Sequence, residues 1–238
     1  MVLKTALDLL ILVAKSPSWP TLRLAKLIWT VKPNFTMVKC KNLINLYNLV
    51  QKVNSMGLDG DIVECGVWNG GSAALMAFAC LKNNAANNRI LWLFDSFAGL
   101  PPPGPRDGII ENKYYFQGLN EGSVQKVEKA FRKLSLPMDD VNIFPGWFEN
   151  TLTKAEIERI AILHIDADWY NSVMSVLQAF YDKVVPGGFI VLDDYGYWDG
   201  CTRAFEDYVS QNRLNGIKLK QVDSTGAYFQ KPFRPSNQ

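Results

Sequence analysis

From about residue 60 the chain alternates short apolar runs with segments that carry apolar residues at helical spacing, and this alternation limits the possible folds more than any single motif. Asp61–Val67 reads as a strand, followed by Gly70-Gly71-Ser72 and a small-residue helix over Ala73–Leu81. Arg89–Phe94 is a second strand, ending in Asp95. A loop rich in Pro and Gly runs from Ser96 to about Gly122, and a helix follows over Val124–Leu134. Val141–Phe144 is a third strand and Ile160–Ile165 a fourth, ending in Asp166. Val173, Val176, Leu177 and Phe180 mark one helix face. Pro186-Gly187-Gly188 then turns the chain into a fifth strand, Phe189–Leu192, which ends in Asp193-Asp194. Ala204–Val209 is helical. Ile217–Val222 and Ala227–Gln230 are two last strands, too close for a helical crossover and therefore antiparallel. The pattern is that of a doubly wound α/β sheet with helices on both faces.

At 48% hydrophobic and 20% charged, the 238 residues suit one large core with an appendage. Residues 1–58 read as a helical extension or cap, and 59–238 as the sheet domain. The formal net charge of +2 gives no nucleic-acid signal, but it is uneven: residues 1–60 carry +6 and the remainder −4. Two amphipathic helices, around Leu9–Val13 and Thr21–Val31, are expected to pack on the body or on a second copy, with a membrane surface as the alternative for this basic, apolar segment. Neither run is long enough to span a bilayer. Cys40, Cys65, Cys80 and Cys201 form no CxxC pair and neighbour no His, which points to reduced thiols in a cytoplasmic protein.

Ligands of such sheets bind beyond the carboxyl ends of the strands. Those ends carry Gly66, Asp95, Asp166 and Asp193-Asp194. The first loop, Gly66-Val67-Trp68-Asn69-Gly70, lacks the spacing of a dinucleotide fingerprint and the Lys of a phosphate-binding loop. Glu64 would repel phosphate and attract an ammonium, while Asp95 can accept both hydroxyls of a ribose. A ribose and an amino-acid ammonium without phosphate describe S-adenosylmethionine. Asp166 and Asp193-Asp194 end strands joined by one helix crossover, so they lie side by side. Three carboxylates on one patch suit a hard cation such as Mg²⁺.

The segments VECGVWNGGSAALMA, WLFDSFAGLPPP, FPGWFENTL, LHIDADWYNS and PGGFIVLDDYGYWDGCTRAFEDY resemble the macrocin O-methyltransferase family over roughly residues 33 to 231. The resemblance implies a Rossmann-like class I methyltransferase sheet, S-adenosylmethionine, Mg²⁺, and a small hydroxylated acceptor such as a sugar or other natural product. It puts Asp166, Asp193 and Asp194 on the metal. Met37, in a segment before the first strand, is similar to a family segment and is counted with the cofactor site. Glu64, Gly66, Gly70, Gly71 and Ser72 fall around the methionine end of the cofactor, Asp95 and Ser96 at the ribose, and Gly146, Trp147 and Phe148 near the adenine.

The base candidates are Asp166 and Asp168, with Asp166 favoured because Asp168 is placed to cap the helix after the fourth strand. His164, inside that strand, reads as a core residue. Sugar-methylating relatives can present a His or an acid from the loop after GLP; here that loop has no His and offers Asp107, Glu111, Tyr114 and Tyr115. Its length suggests a lid, mobile from about Gly104 to Gly118. A homo-oligomer is expected. Two rival readings are a nucleotide-linked oxidoreductase, which the missing GxGxxG argues against and a lack of NAD(H) binding would exclude, and a non-catalytic assembly protein, which intact Asp166, Asp193 and Asp194 argue against and a failure to bind S-adenosylmethionine would revive.

Overall fold

The computed structural model describes residues 2–32, 34–81 and 89–233, so residues 82–88 and 234–238 of the expected 59–238 domain lie outside the described residues. Among the described residues seven strands form one sheet: β1 (Asp61–Cys65), β2 (Leu91–Asp95), β3 (Val141–Pro145), β4 (Ile160–Ile165), β5 (Val184–Leu192), β6 (Lys220–Gln221) and β7 (Ala227–Gln230). Their order is β3-β2-β1-β4-β5-β7-β6. The first five run parallel, and β7 inserts antiparallel between β5 and β6. The order reverses between β1 and β4, which opens a crevice at their carboxyl ends.

The helices are α1 (Val2–Lys15), α2 (Trp19–Val31), α3 (Cys40–Ser55), α4 (Gly71–Leu81), α5 (Ile109–Tyr114), α6 (Val124–Lys133), α7 (Phe148–Thr151), α8 (Tyr170–Phe180) and α9 (Asp199–Gln211). Strand alternation divides the core into two layers. Ile62, Leu93, Ile162 and Val191 join residues of α2, α3, α4 and α6 in one; Val63, Phe94, Leu163 and Ile190 join α8 and α9 in the other. Among the described residues no helix is long and apolar enough to cross a membrane.

Several elements differ from expectation, among them α5, inside the expected loop from Ser96 to about Gly122, and the short α7 after β3. A third N-terminal helix, α3, stands beside the two expected ones. Leu43, Leu46, Tyr47, Val50 and Val53 give it a buried stripe at i, i+3, i+4 spacing. Pro186-Gly187-Gly188 does not precede β5 but lies within it, where the pairing with β4 slips between Ile160 and Ile162. A bulge tolerates the missing Pro186 amide there. Of Ile217–Val222 only Lys220–Gln221 pairs, as an exposed edge, because Ile217 and Leu219 turn onto the second core layer.

Candidate active site

The site grows from the carboxyl ends of β1, β2, β4 and β5. Gly66 leaves β1 at φ +90°, and a Cβ there would lie 1.6 Å from the Asp166 carbonyl oxygen. Only glycine permits this approach of the two strand ends. Asp166 N donates to Cys65 O at 2.8 Å beside it. At the end of β2 the Asp95 carboxylate accepts three backbone amides, Val67 N and Trp68 N on one oxygen and Phe97 N on the other, each at 2.7 Å. Asp95 thus shapes the loop after β1 while one lone pair or more stays open to a ligand. Burial raises its carboxyl above the ordinary range even against these bonds.

Two cavities meet over this floor. The first, an open cleft, has Met37, Gly66, Asp95, Ser96, Trp147 and Phe148 in its lining. Among the described residues its lining holds Asp95, Glu149, Asp166 and Asp168 but no Lys or Arg, which suits a cationic ligand bearing hydroxyls and disfavours a pyrophosphate. The second is lined in part by Ser72, Asp193, Asp194 and Thr225. Asp166 and Asp168 border both. So do Trp68 and Asn120, and with Asp168 these are left-handed residues, at φ +48°, +61° and +52°. Strained non-glycine backbone of this kind costs about 1–3 kcal/mol per residue and clusters at functional sites.

The carboxylates that converge are Asp166, Asp168 and Asp194, each offering an oxygen within 4.8 Å of the others. Asp194 Oδ2 is buried without a hydrogen-bond partner among the described residues. Burial, then neighbouring negative charge, pushes the Asp166 and Asp194 carboxyls well above the usual range; burial raises Asp168 to about 7, against the bond it accepts from Trp198. An oxygen cluster with an orphaned buried carboxylate atom fits a hard divalent cation. Asp193 turns aside: its Oδ1 accepts from Asn42 Nδ2 at 2.9 Å. Asp168 does not cap α8, whose N-cap residue is Trp169 with no side-chain cap; its Oδ1 instead accepts from Trp198 Nε1 at 2.8 Å.

The remaining expected residues are set apart from the cavities. Glu64 is fully buried and lines neither; its Oε1 meets His164 Nδ1 at 2.9 Å. His164 is buried as expected but is an ion-pair member rather than an apolar packing residue: burial opposes its charge, yet Asp193 and Glu64 outweigh that and lift it to about 10. Gly70 and Gly71 face Val127 and Phe35, with Gly71 N donating to Phe35 O at 2.8 Å. Gly146 N donates to Asp95 O at 2.9 Å. In the loop after β2, Asp107 accepts from Tyr170 N and Gly104 N at 2.7 Å, and Glu111 accepts from Gly200 N at 3.3 Å. These two acids are fastened to the starts of α8 and α9 and line neither cavity. Sequence reasoning misses Asn42, Trp68, Asn120 and Trp198. Only Trp198 carries a sequence signal, its place just after the paired carboxylates.

The profile of a family described as Macrocin-O-methyltransferase (TylF) matches residues 17–231. The 8-demethyl-8-(2,3-dimethoxy-alpha-L-rhamnosyl)-tetracenomycin-C 4'-O-methyltransferase of Streptomyces olivaceus is 34% identical over 197 residues, 82% of this chain and 74% of that protein. The Mycinamicin III 3''-O-methyltransferase of Micromonospora griseorubida is 33% identical over 201 residues, 82% and 78% of the two chains. Among solved structures, the O-methyltransferase NovP superposes with a TM-score of 0.76 at 32% identity, covering 84% of this chain and 83% of that one.

Proposed function

Since the chain belongs to the macrocin O-methyltransferase family, and is thereby an O-methyltransferase that uses S-adenosylmethionine, we propose that it methylates a hydroxyl of a sugar or sugar-bearing natural product with the help of Mg²⁺. The observation that carries this reading is the meeting of two cavities at Asp166 and Asp168, one acid-lined and free of Lys and Arg among the described residues, the other floored by carboxylates. The first takes the cofactor. Asp95 accepts its ribose hydroxyls, Trp147 and Phe148 flank its adenine, and Gly66 lets it approach the backbone. The second takes the acceptor. On this reading residues 1–58 cap the catalytic unit 59–238 and contribute Thr36, Met37 and Lys39 to its walls.

Asp166, Asp193 and Asp194 are assigned to Mg²⁺: Asp166 and Asp194 come from the converging set, Asp193 borders the same cavity with its Oδ2 left over from the bond to Asn42, and Asp168, the third member of the set, is kept beside the ion for the proton. When bound, S-adenosylmethionine supplies a methyl group on a sulfonium, and Mg²⁺ lowers the pKa of the acceptor hydroxyl. A carboxylate committed to a cation cannot also take a proton, so Asp168 is the base in preference to Asp166. Trp198 holds one Asp168 oxygen and leaves the other for the acceptor hydroxyl. Asp166 lies on the border between the cavities and keeps the two reactants in line, and positioning supplies most of the rate.

The test is incubation with S-adenosylmethionine and a panel of glycosides and free deoxysugars, read as a methyl mass shift. Turnover is expected to vanish with EDTA and return with Mg²⁺; full activity in buffer shown metal-free by elemental analysis would remove the metal. Asp95→Ala is expected to weaken S-adenosylmethionine binding by about 1.5–3 kcal/mol in calorimetry, the range for a hydrogen bond to a charged group. Unchanged affinity in a folded variant would remove Asp95 from the cofactor site. The free thiols of all four cysteines support a reducing compartment such as the cytoplasm. The exposed Leu3, Leu7, Leu10 and Trp19 support association with a second copy.

A further inference from the structure

The proposed reaction leaves two fully buried titratable side chains without a task, and they stand in one row with a carboxylate of the site. Glu64 on β1 pairs in register with His164 on β4. Both belong to the sheet face of Ile62, Ile162 and Val191, the face that α3 covers. His164 Nδ1 meets Glu64 Oε1 at 2.9 Å. On the other side of the ring, Nε2 stands 3.9 Å from Asp193 Oδ1, too far for a direct hydrogen bond, and has no other partner among the described residues. The same Asp193 oxygen accepts from Asn42 Nδ2. A buried nitrogen left unsatisfied in an otherwise apolar layer costs stability, so its aim at Asp193 calls for a reason beyond folding.

Resting on the assignment of Asp193 to Mg²⁺, we propose that Glu64 and His164 form a positioning pair: Glu64 fixes the imidazolium by accepting from Nδ1–H, and Nε2–H, at ion-pair distance, together with Asn42 orients the Asp193 carboxylate. Outer partners aim metal ligands in the same manner in metal sites generally. The competing role is that of a buried ion pair kept only for the fold. The two roles differ in what happens when both charges go together. Apolar residues of like volume can replace a buried pair with little loss of stability, whereas removing one partner strands the other.

The experiment is calorimetric titration of the full chain with MgCl₂, and separately with S-adenosylmethionine. His164→Gln keeps an amide nitrogen where Nε2 stands, and His164→Asn keeps one where Nδ1 stands. His164→Gln is expected to hold Mg²⁺ within about threefold of the wild type and His164→Asn roughly ten- to a hundredfold more weakly, the range for lost outer partners of metal ligands. The variant Glu64→Leu/His164→Leu is expected to melt near the wild type and bind Mg²⁺ as weakly as His164→Asn; should it not fold, the contrast between Gln and Asn decides. Equal affinities in the Gln and Asn variants overturn the proposal, as does wild-type affinity in a folded double variant. Cofactor affinity is expected to stay at the wild-type value throughout. A selective loss of cofactor affinity would instead assign the pair to the methionine end and overturn the proposal. Absence of Mg²⁺ uptake by the wild type is a separate outcome, which removes the metal reading and this proposal with it.

Discussion

Asp168→Asn is expected to lower kcat by about 10²–10⁴, the usual contribution of a positioned general base, with little change in S-adenosylmethionine affinity. The amide matches the carboxylate in shape and can still accept from Trp198 Nε1, which Asp168 now meets at 2.8 Å. It cannot take a proton. The positive φ of 52° at this position is one that Asn tolerates well, so the fold should hold. Steady-state kinetics with the acceptor, and calorimetry with the cofactor, separate the two effects. If the variant keeps its full kcat, the proton goes elsewhere, and Asp166 is the next carboxylate to replace.

Gly66→Ala should produce the largest loss of stability at the site. The new methyl would lie 1.6 Å from the Asp166 carbonyl oxygen, a backbone atom that no rotamer change can move aside. Left-handed strain of about 1–2 kcal/mol and overpacking of about 1–3 kcal/mol add to roughly 2–5 kcal/mol. At about 2–4 °C per kcal/mol for a chain of this size, Tm should fall by roughly 4–20 °C. A thermal melt followed by circular dichroism measures it, and a fall of under 2 °C would mean that the two strand ends separate easily. Cofactor affinity should fall as well, because separating β1 from β4 shifts the loop that Asp95 holds.

The strand ends are legible in the sequence because an apolar run of five or six residues that ends in Gly or Asp, in an alternating chain, has the length of a buried strand and is too short for a buried helix. The family segments name the same ends independently. Cross-strand register is not legible. Nothing in the local sequence says that Glu64 stands opposite His164, 100 residues away, or that Asn42 on α3 reaches Asp193. Sequence alone therefore makes Glu64 a ligand group and His164 plain core. The paired carboxylates show the same limit. Being adjacent, Asp193 and Asp194 send their side chains different ways: one meets Asn42, the other gathers with Asp166 and Asp168. Asn42 and His164, from two distant segments, offset the charge of Asp193, whereas Asp194 is left among other acids. Asp168 misleads for a local reason. An Asp shortly before a helix is a cap signal, but α8 starts later and takes its acceptor from elsewhere.

That acceptor is Asp107, and borrowing it has a consequence for how such a chain can diversify. The first amide of α8, Tyr170 N, is bound by a carboxylate 63 positions earlier, and Gly200 N at the start of α9 by Glu111 of the same loop. One surface loop thus provides the ends of two helices that it does not adjoin in sequence. A lineage altering its acceptor through this loop has little slack after α5, where Leu119 O accepts from Leu100 N, Glu121 O accepts from Trp68 Nε1, and Asn120 borders both cavities. Nor is it free around Asp107 and Glu111, where a deletion would unfasten α8 and α9. A loop transplanted from a relative carries those two helix starts with it, and has to match them as well as its new substrate.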